Sequence, residues 1–209
     1  VRQLFEYPPV RSQRAKWALE ELEIEYESQI VNLHKGQQLE DTYLEIHPLG
    51  VVPALKTDSY TMFESVAIAL QLIDENPDEK LAPPVGSPER AKYYQWSIFA
   101  CAEVDPALML FFDNTMKPVE ARRPPGTPHD PKQAELGRVQ FADRVEILSI
   151  ALWDGGYLLG PDFSGADIMI GHCCFMATVM GLLDDYPVLK AYYQRLQARP
   201  AFRRAYPDS

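Results

Sequence analysis

The stretch His47-Pro48-Leu49-Gly50-Val51-Val52-Pro53-Ala54-Leu55, with Phe63-Glu64-Ser65 shortly after it, decides the fold of this chain. Val52-Pro53 opens the apolar run Ala54-Leu55, which has room for about three strand residues before Asp58-Ser59 turns the chain. Thr61-Met62-Phe63 reads as the returning strand. Glu64-Ser65 then precedes Val66, Ile68, Ala69, Leu70, Leu72 and Ile73, an apolar run with helical spacing, and stands at a helix start. The first N–H groups of a helix lack intrahelical partners, and the helix dipole favours an anion there. A carboxylate and a hydroxyl at that point suit the ammonium and carboxylate groups of an amino acid. A proline just before a short strand is compatible with a cis bond, which would turn the Val52 N–H and C=O outward. An extended peptide can pair with such groups as an added strand.

Working outward, residues 2–7 alternate Leu4 and Glu6 with Phe5 and Tyr7, enough for a short first strand. Tyr7-Pro8-Pro9-Val10-Arg11 breaks it. Ser12 is a good N-cap for a helix over residues 12–22, with Ala15, Ala18, Leu19 and Leu22 on its apolar face. Residues 26–31 read as a second strand, parallel to the first across the helical crossover. A short helix over residues 40–46 leads into the central stretch.

On the other side, Pro77, Pro83, Pro84, Gly86 and Pro88 exclude regular structure and mark a linker. Everything beyond reads helical. A long helix covers 89–116, kinked or interrupted by Pro106. A proline-rich loop covers 117–131, and a helix covers 133–153 up to Gly155-Gly156. Phe163-Ser164-Gly165-Ala166-Asp167 opens a buried helix, with Ser164 and Asp167 spaced like a capping box. His172, inside that apolar helix, reads as a core histidine. Pro187 and Pro200 each suit the first turn of a further helix. The domains are therefore expected at 1–78 and 89–209, joined by the linker 79–88.

Composition is that of a soluble globular chain, 46% hydrophobic and 24% charged. No apolar run reaches the ~20 residues of a membrane span, and residues 1–7 lack the apolar core of a signal peptide. Net charge is −10, concentrated in residues 1–78, which carry 6 Lys/Arg against 14 Asp/Glu. That balance argues against nucleic acid and anionic membranes as partners. Cys101, Cys173 and Cys174 offer neither a disulfide framework nor a metal spacing, so a reducing cytoplasm and no metal are expected. There is no phosphate loop and no GxSxG motif.

The series "HPLGVVPAL…FESVAI" resembles the glutathione-binding half of the glutathione S-transferase superfamily, densely over residues 4–76 and more loosely to the C-terminus. The segments "SQRAKWALEEL", "YLLG" and "FSGADI" are similar to others in the same superfamily. The resemblance implies an α/β thioredoxin-like N-terminal domain, in the order β-α-β-α-β-β-α, and an all-α C-terminal helical bundle. It also implies glutathione as co-substrate, a homodimer, a role in detoxification, and attack of the glutathione thiolate on a small electrophilic acceptor. Val52, before Pro53, would hold the cysteinyl backbone of glutathione, and Glu64 and Ser65 its γ-glutamyl end. Gln38, in Lys35-Gly36-Gln37-Gln38, matches a family contact to the glycine end. Val51 stands where many relatives carry Lys, leaving Lys35 or Arg11 to compensate.

The thiolate needs a stabilising group, since the thiolate is the nucleophile. Val10 aligns with the catalytic Ser of many relatives and has no donor, so Tyr7, Ser12 and Arg11 remain as candidates. "YPPVR" resembles the segment that holds the tyrosine of the pi class, which favours Tyr7. Ser12 has helix capping as a rival role, and Arg11 has surface charge. Phe99, Glu103, Ala107 and Leu110 fall at helical spacing and are expected to line an acceptor pocket between the domains. Two alternatives stand beside conjugation: a glutathione-dependent peroxidase, reductase or isomerase on the same fold, and a non-catalytic binding or regulatory module.

Overall fold

The computed structural model describes residues 1–116 and 128–207. The chain forms two compact units, Val1–Lys80 together with Arg199–Ser209, and Leu81–Ala198. The C-terminal segment, counted with the helical part in the sequence reading, therefore groups with the first unit.

In the first unit, β1 (Gln3–Glu6) pairs in parallel with β2 (Glu27–Ile30) across helix α1 (Ser12–Glu21). After α2 (Asp41–Leu44), β3 (Ala54–Lys56) runs antiparallel to β1, and β4 (Thr61–Phe63) antiparallel to β3. The sheet order is β2-β1-β3-β4, followed by α3 (Ser65–Asp74). Alternation along β1 sends Leu4 and Glu6 to one face, where both are fully buried. The Glu6 carboxylate is satisfied there by Lys16 at 3.0 Å and by the Ser28 hydroxyl at 2.6 Å. Phe5 and Tyr7 face the other way and are half-buried against Val31, Tyr43 and Val52.

The last helix of the chain, Pro200–Ala205 (named α9 below), lies along α1. Trp17, fully buried, meets Phe202 edge-on at 4.9 Å. Arg199 donates two hydrogen bonds to the Glu21 carboxylate at 2.7 and 2.8 Å. Arg204 bonds the Glu20 carboxylate at 2.5 Å.

In the second unit the long helix expected over 89–116 is two helices, α4 (Pro88–Phe99) and α5 (Asp105–Thr115), joined by a π turn over Ala100–Val104. Pro106 has no N–H to give to the preceding turn, and the wide π turn lets α5 start afresh just before it. The Ser87 hydroxyl caps α4 by accepting from the Arg90 N–H. The linker region is not wholly irregular: Pro77–Glu79 make one 3-10 turn. The expected loop over 117–131 lies outside the described residues up to 127.

Helix α6 (Pro131–Ala151) packs on α5, and α7 (Gly165–Val179) is buried along most of its length. Its capping box is present. Asp167 accepts from the Ser164 N–H and hydroxyl, the Leu158 N–H and the Tyr192 hydroxyl, and burial still raises its carboxyl above the usual range. His172 is fully buried and stacked on Phe175. Helix α8 (Pro187–Gln197) completes the unit, leaving α9 to the first one. Among the described residues, no helix is long and apolar enough to cross a membrane.

Candidate functional site

The site is built where β1 ends and β3 begins. Beyond Glu6 the Tyr7 backbone is fastened on both sides. Its C=O accepts from the Val10 N–H at 3.2 Å and from the Ser12 hydroxyl at 3.2 Å, and its N–H donates to Ser12 Oγ at 3.3 Å. These bonds fold residues 7–12 into a tight turn that contains a cis Pro8-Pro9 peptide, which the sequence reading did not anticipate. Ser12 is fully buried, and its hydroxyl is engaged with Tyr7 as donor and acceptor. It is not the N-cap expected of it. Arg11 occupies the N-cap position already in helical conformation, φ −56° and ψ −16°, and α1 has no side-chain cap.

Tyr7 is half-buried. It packs with Phe5 and Val10 against the cluster of Val31, Tyr43 and Val52, and its ring meets His34 edge-on at 5.7 Å. Among the described residues its hydroxyl makes no hydrogen bond.

The facing wall comes from the 47–53 segment. The Val52-Pro53 peptide is cis, and both residues are buried. Val51 is 40% exposed, and its C=O accepts from the Tyr43 hydroxyl at 2.7 Å. Burial also raises the Tyr43 phenol. Gly50, at φ 59°, lies so close to the Gln38 carbonyl that an added Cβ would stand 2.8 Å from it. Only glycine allows that approach, which tucks Gln38 under the turn. Gln38 is 1% exposed, and neither its amide nitrogen nor its oxygen has a hydrogen-bond partner among the described residues. Such an orphaned group costs about 1–3 kcal/mol until something polar meets it.

Glu64 and Ser65 form the third part. Glu64 is exposed and held at φ 76°, a conformation that only Gly adopts easily. Ser65, 5% exposed, is the first residue of α3, which has no side-chain cap. Among the described residues neither side chain makes a hydrogen bond or ion pair. The open N–H groups of α3 and these two side chains therefore share one corner.

His47 was missed as a contributor. It is 2% exposed, stacked on Phe63 at 4.6 Å, and accepts the Leu49 N–H at Nδ1. Burial lowers its pKa, while the Glu64 carboxylate pulls it back up. His34, beside Tyr7, was missed as well. The sequence signal for both was only a histidine next to a motif, because the partners come from other elements.

The four residues expected to line an acceptor pocket are placed as follows. Phe99 is half-buried at the end of α4, edge-on to Trp96. Glu103 is exposed in the π turn and paired with Arg144 of α6 at 2.8 Å. Ala107 is 1% exposed, and its C=O, with the backbone of Leu110 and Phe111, crowds Gly137 of α6. Glu103 of the π turn and Ala107 of α5 thus both meet α6, and the Leu110 backbone passes close to Gly137. Burial pushes the Cys174 thiol up, and Cys173 is buried beside Asp105. Among the described residues no group of three or more His, Cys, Asp or Glu side chains suits a metal ion.

Comparison with known proteins bears on this geometry. The family models for the glutathione S-transferase N-terminal domain and C-terminal domain match residues 1–74 and 131–195. A probable glutathione S-transferase of Oryza sativa subsp. japonica is 30% identical over 190 residues, 89% of this chain and 86% of that protein. A probable maleylacetoacetate isomerase 2 of Drosophila melanogaster is 27% identical over 208 residues, 95% of this chain and 84% of that one. The crystal structure of a glutathione transferase from Methylococcus capsulatus superimposes with a TM-score of 0.85 at 25% identity, covering 98% of this chain and 97% of the other.

Proposed function

As the chain belongs to the glutathione S-transferase family, we propose that it conjugates glutathione to an electrophilic acceptor and that Tyr7 stabilises the attacking thiolate. The glutathione transferase assignment rests on the relatives; the residue roles are our reading of the site. One observation carries that reading. Glu64 and Ser65 stand at the uncapped start of α3 with side chains that have no partner among the described residues. They take the ammonium and carboxylate of the γ-glutamyl group. The Val52 backbone, ahead of Pro53, pairs with the cysteinyl unit, and the orphaned Gln38 amide meets the glycine end. Val51 lines the same wall without adding a cation.

Tyr7 takes the thiolate role because its hydroxyl has no partner among the described residues while that of Ser12 is engaged with backbone. A phenol O–H is a good donor to a thiolate, lowers the thiol pKa and leaves more nucleophile at neutral pH. Arg11, at the N-cap position of α1, adds positive charge to the same turn. Binding brings the thiolate and acceptor together and supplies orientation as well as charge stabilisation. Phe99, Glu103, Ala107 and Leu110 are the acceptor-side residues of this reading, with Glu103 also paired to Arg144. The setting is a cytoplasmic homodimer with a detoxifying role. Leu136, Val139, Ile147 and Ile150, exposed along α6, supply apolar surface for a second copy. Isomerisation through a glutathione adduct is the second reading, supported by the similarity to the isomerase from Drosophila melanogaster.

A pH–rate profile of conjugation for wild type, Tyr7→Phe and Ser12→Ala tests the thiolate role. Tyr7→Phe raises the rate-controlling pKa and lowers the neutral-pH rate, with glutathione affinity nearly kept; a wild-type profile for Tyr7→Phe removes Tyr7 from the reaction. Calorimetry with Ser65→Ala tests the clamp, where a lost charge-assisted contact costs ~1.5–3 kcal/mol. Absence of binding by the wild type at millimolar glutathione refutes the whole reading.

A further inference from the structure

The C-terminal helix reaches the thiolate site through one buried side chain. Gln13 is 1% exposed, and its Nε2 donates to the backbone C=O of Ala205, at the end of α9. Its own backbone N–H donates to the Val10 C=O at 3.0 Å, and the Val10 N–H donates to the Tyr7 C=O at 3.2 Å. The residue before it, Ser12, bonds both the N–H and the C=O of Tyr7. An unbroken set of hydrogen bonds therefore runs from Ala205 to the Tyr7 backbone. Further along α1, α9 is held by Trp17 against Phe202 and Tyr206, and by Glu20 and Glu21 with Arg204 and Arg199. Those contacts fix the helix pair, but they lie away from the turn that carries Tyr7. The Gln13 contact, by comparison, reaches the first turn of α1.

We propose that Gln13 is a positioning residue for the glutathione thiolate. It ties the first turn of α1 to α9, so that residues 7–12 present the Tyr7 hydroxyl at a fixed place. This rests on the reading of Tyr7 given above. Three features support a placing role rather than mere core filling. The side chain is polar and buried in a first turn whose adjacent buried residues, Ser12 and Arg14, are polar as well, unlike the apolar Ala15, Ala18 and Leu19 further along α1. Its Oε1 has no partner among the described residues, so its burial is retained at a cost for the sake of the Nε2 bond. Finally, its backbone N–H and its side chain serve two different segments, the 7–12 turn and α9. A hydrogen-bond donor to a thiolate loses strength steeply with distance and angle, so loosening the turn weakens the Tyr7 contact without removing any group that binds the peptide.

The test reads the thiolate directly, by the ultraviolet absorbance of enzyme-bound glutathione against pH, for wild type, Gln13→Met and Tyr7→Phe. Methionine keeps the volume and neutrality of glutamine and lacks the donor. Gln13→Met lowers the bound thiolate at slightly acid pH by at least about threefold, a loss of roughly 0.65 kcal/mol, while affinity for S-methylglutathione stays within about twofold of wild type. A purely structural role lowers stability in urea and leaves the bound-thiol pKa alone. That outcome, with Tyr7→Phe still shifting the pKa, overturns the role of Gln13 and leaves the reading of Tyr7 standing. An unshifted pKa in Tyr7→Phe overturns the reading of Tyr7 and the inference with it. Should Gln13→Met not fold, Gln13→Asn, whose amide falls one methylene short of Ala205, gives the same two outcomes.

Discussion

Glu64 is held at φ 76° and ψ 109°, where a side chain is strained and glycine is not. Relieving that backbone and binding an ammonium are opposed demands on one residue. Glu64→Gly is expected to stabilise the fold by about 1 kcal/mol in urea unfolding while weakening glutathione binding by about tenfold or more; a variant that is less stable as well as weaker in binding contradicts the strain argument. His47 makes a second prediction. Burial lowers its pKa from the ordinary 6.5, with Glu64 offsetting part of the shift. Just below pH 6.5 the unfolded chain binds more protons at this residue than the folded one. Its contribution to stability is therefore complete above that pH and falls away as the pH drops toward the lowered value. In His47→Gln, unfolding free energies at about pH 5.5 and about pH 7.5 should differ less than in wild type; an equal difference rules out His47 as the source. The cis bond at Val52-Pro53 and the helix start at Glu64-Ser65 were legible because strand, turn and helix start are local signals. The engagement of Ser12 was not, because its hydroxyl partner depends on Arg11 being helical one residue early. Nor was the burial of His47, which lies between α2 and β3 and stacks on Phe63 of β4.

Elements were legible to the extent that their cause was local. The period of apolar residues located α1, α3, α6 and α7, and the capping box located the start of α7. Pro106 announced a break in the long helix, but its form, a π turn set ahead of the proline over Ala100–Val104, depends on how α5 meets its neighbours. The expected pocket stripe depends on neighbours in the same way. Helical spacing marks one face of α5, and only the position of α6 tells whether that face is core or cleft. Gly137 shows how close the two helices come. An added Cβ would stand 2.6 Å from the Phe111 N and 2.9 Å from the Ala107 O, backbone atoms that move only if the helices part. Gly137→Ala should therefore cost about 1–3 kcal/mol by overpacking, although alanine is the better helix former. Urea unfolding of the variant measures it, and a neutral or stabilising result means that α5 and α6 yield more easily than their packing implies.

At the scale of the whole molecule, the two-part architecture was legible from the change in pattern near residue 80, where alternating strands give way to helical periodicity. The return of the chain to its first unit was not. Helix α9 (Pro200–Ala205) follows a helical unit, so nothing local separates it from that unit. What assigns it is long-range chemistry. Phe202 and Tyr206 pack edge-on against the fully buried Trp17, and Arg199 pairs with Glu21, which is 7% exposed. Complete burial of a tryptophan is worth about 4–6 kcal/mol, comparable to the whole stability of many small domains. A fragment of residues 1–80 alone would leave Trp17 partly uncovered and Glu21 without its cation. It is expected to be loose, with weak near-ultraviolet circular dichroism and little amide protection. Joining residues 199–207 to that fragment through a flexible linker should restore both signals, because the missing segment then comes at a high effective concentration. Replacing Phe202 with Ala in the joined chain should abolish the rescue, since the linker alone does not cover Trp17. If the 1–80 fragment folds as tightly by itself, the C-terminal helix is an addition to a finished unit, and the packing of Trp17 on Phe202 is not what completes it.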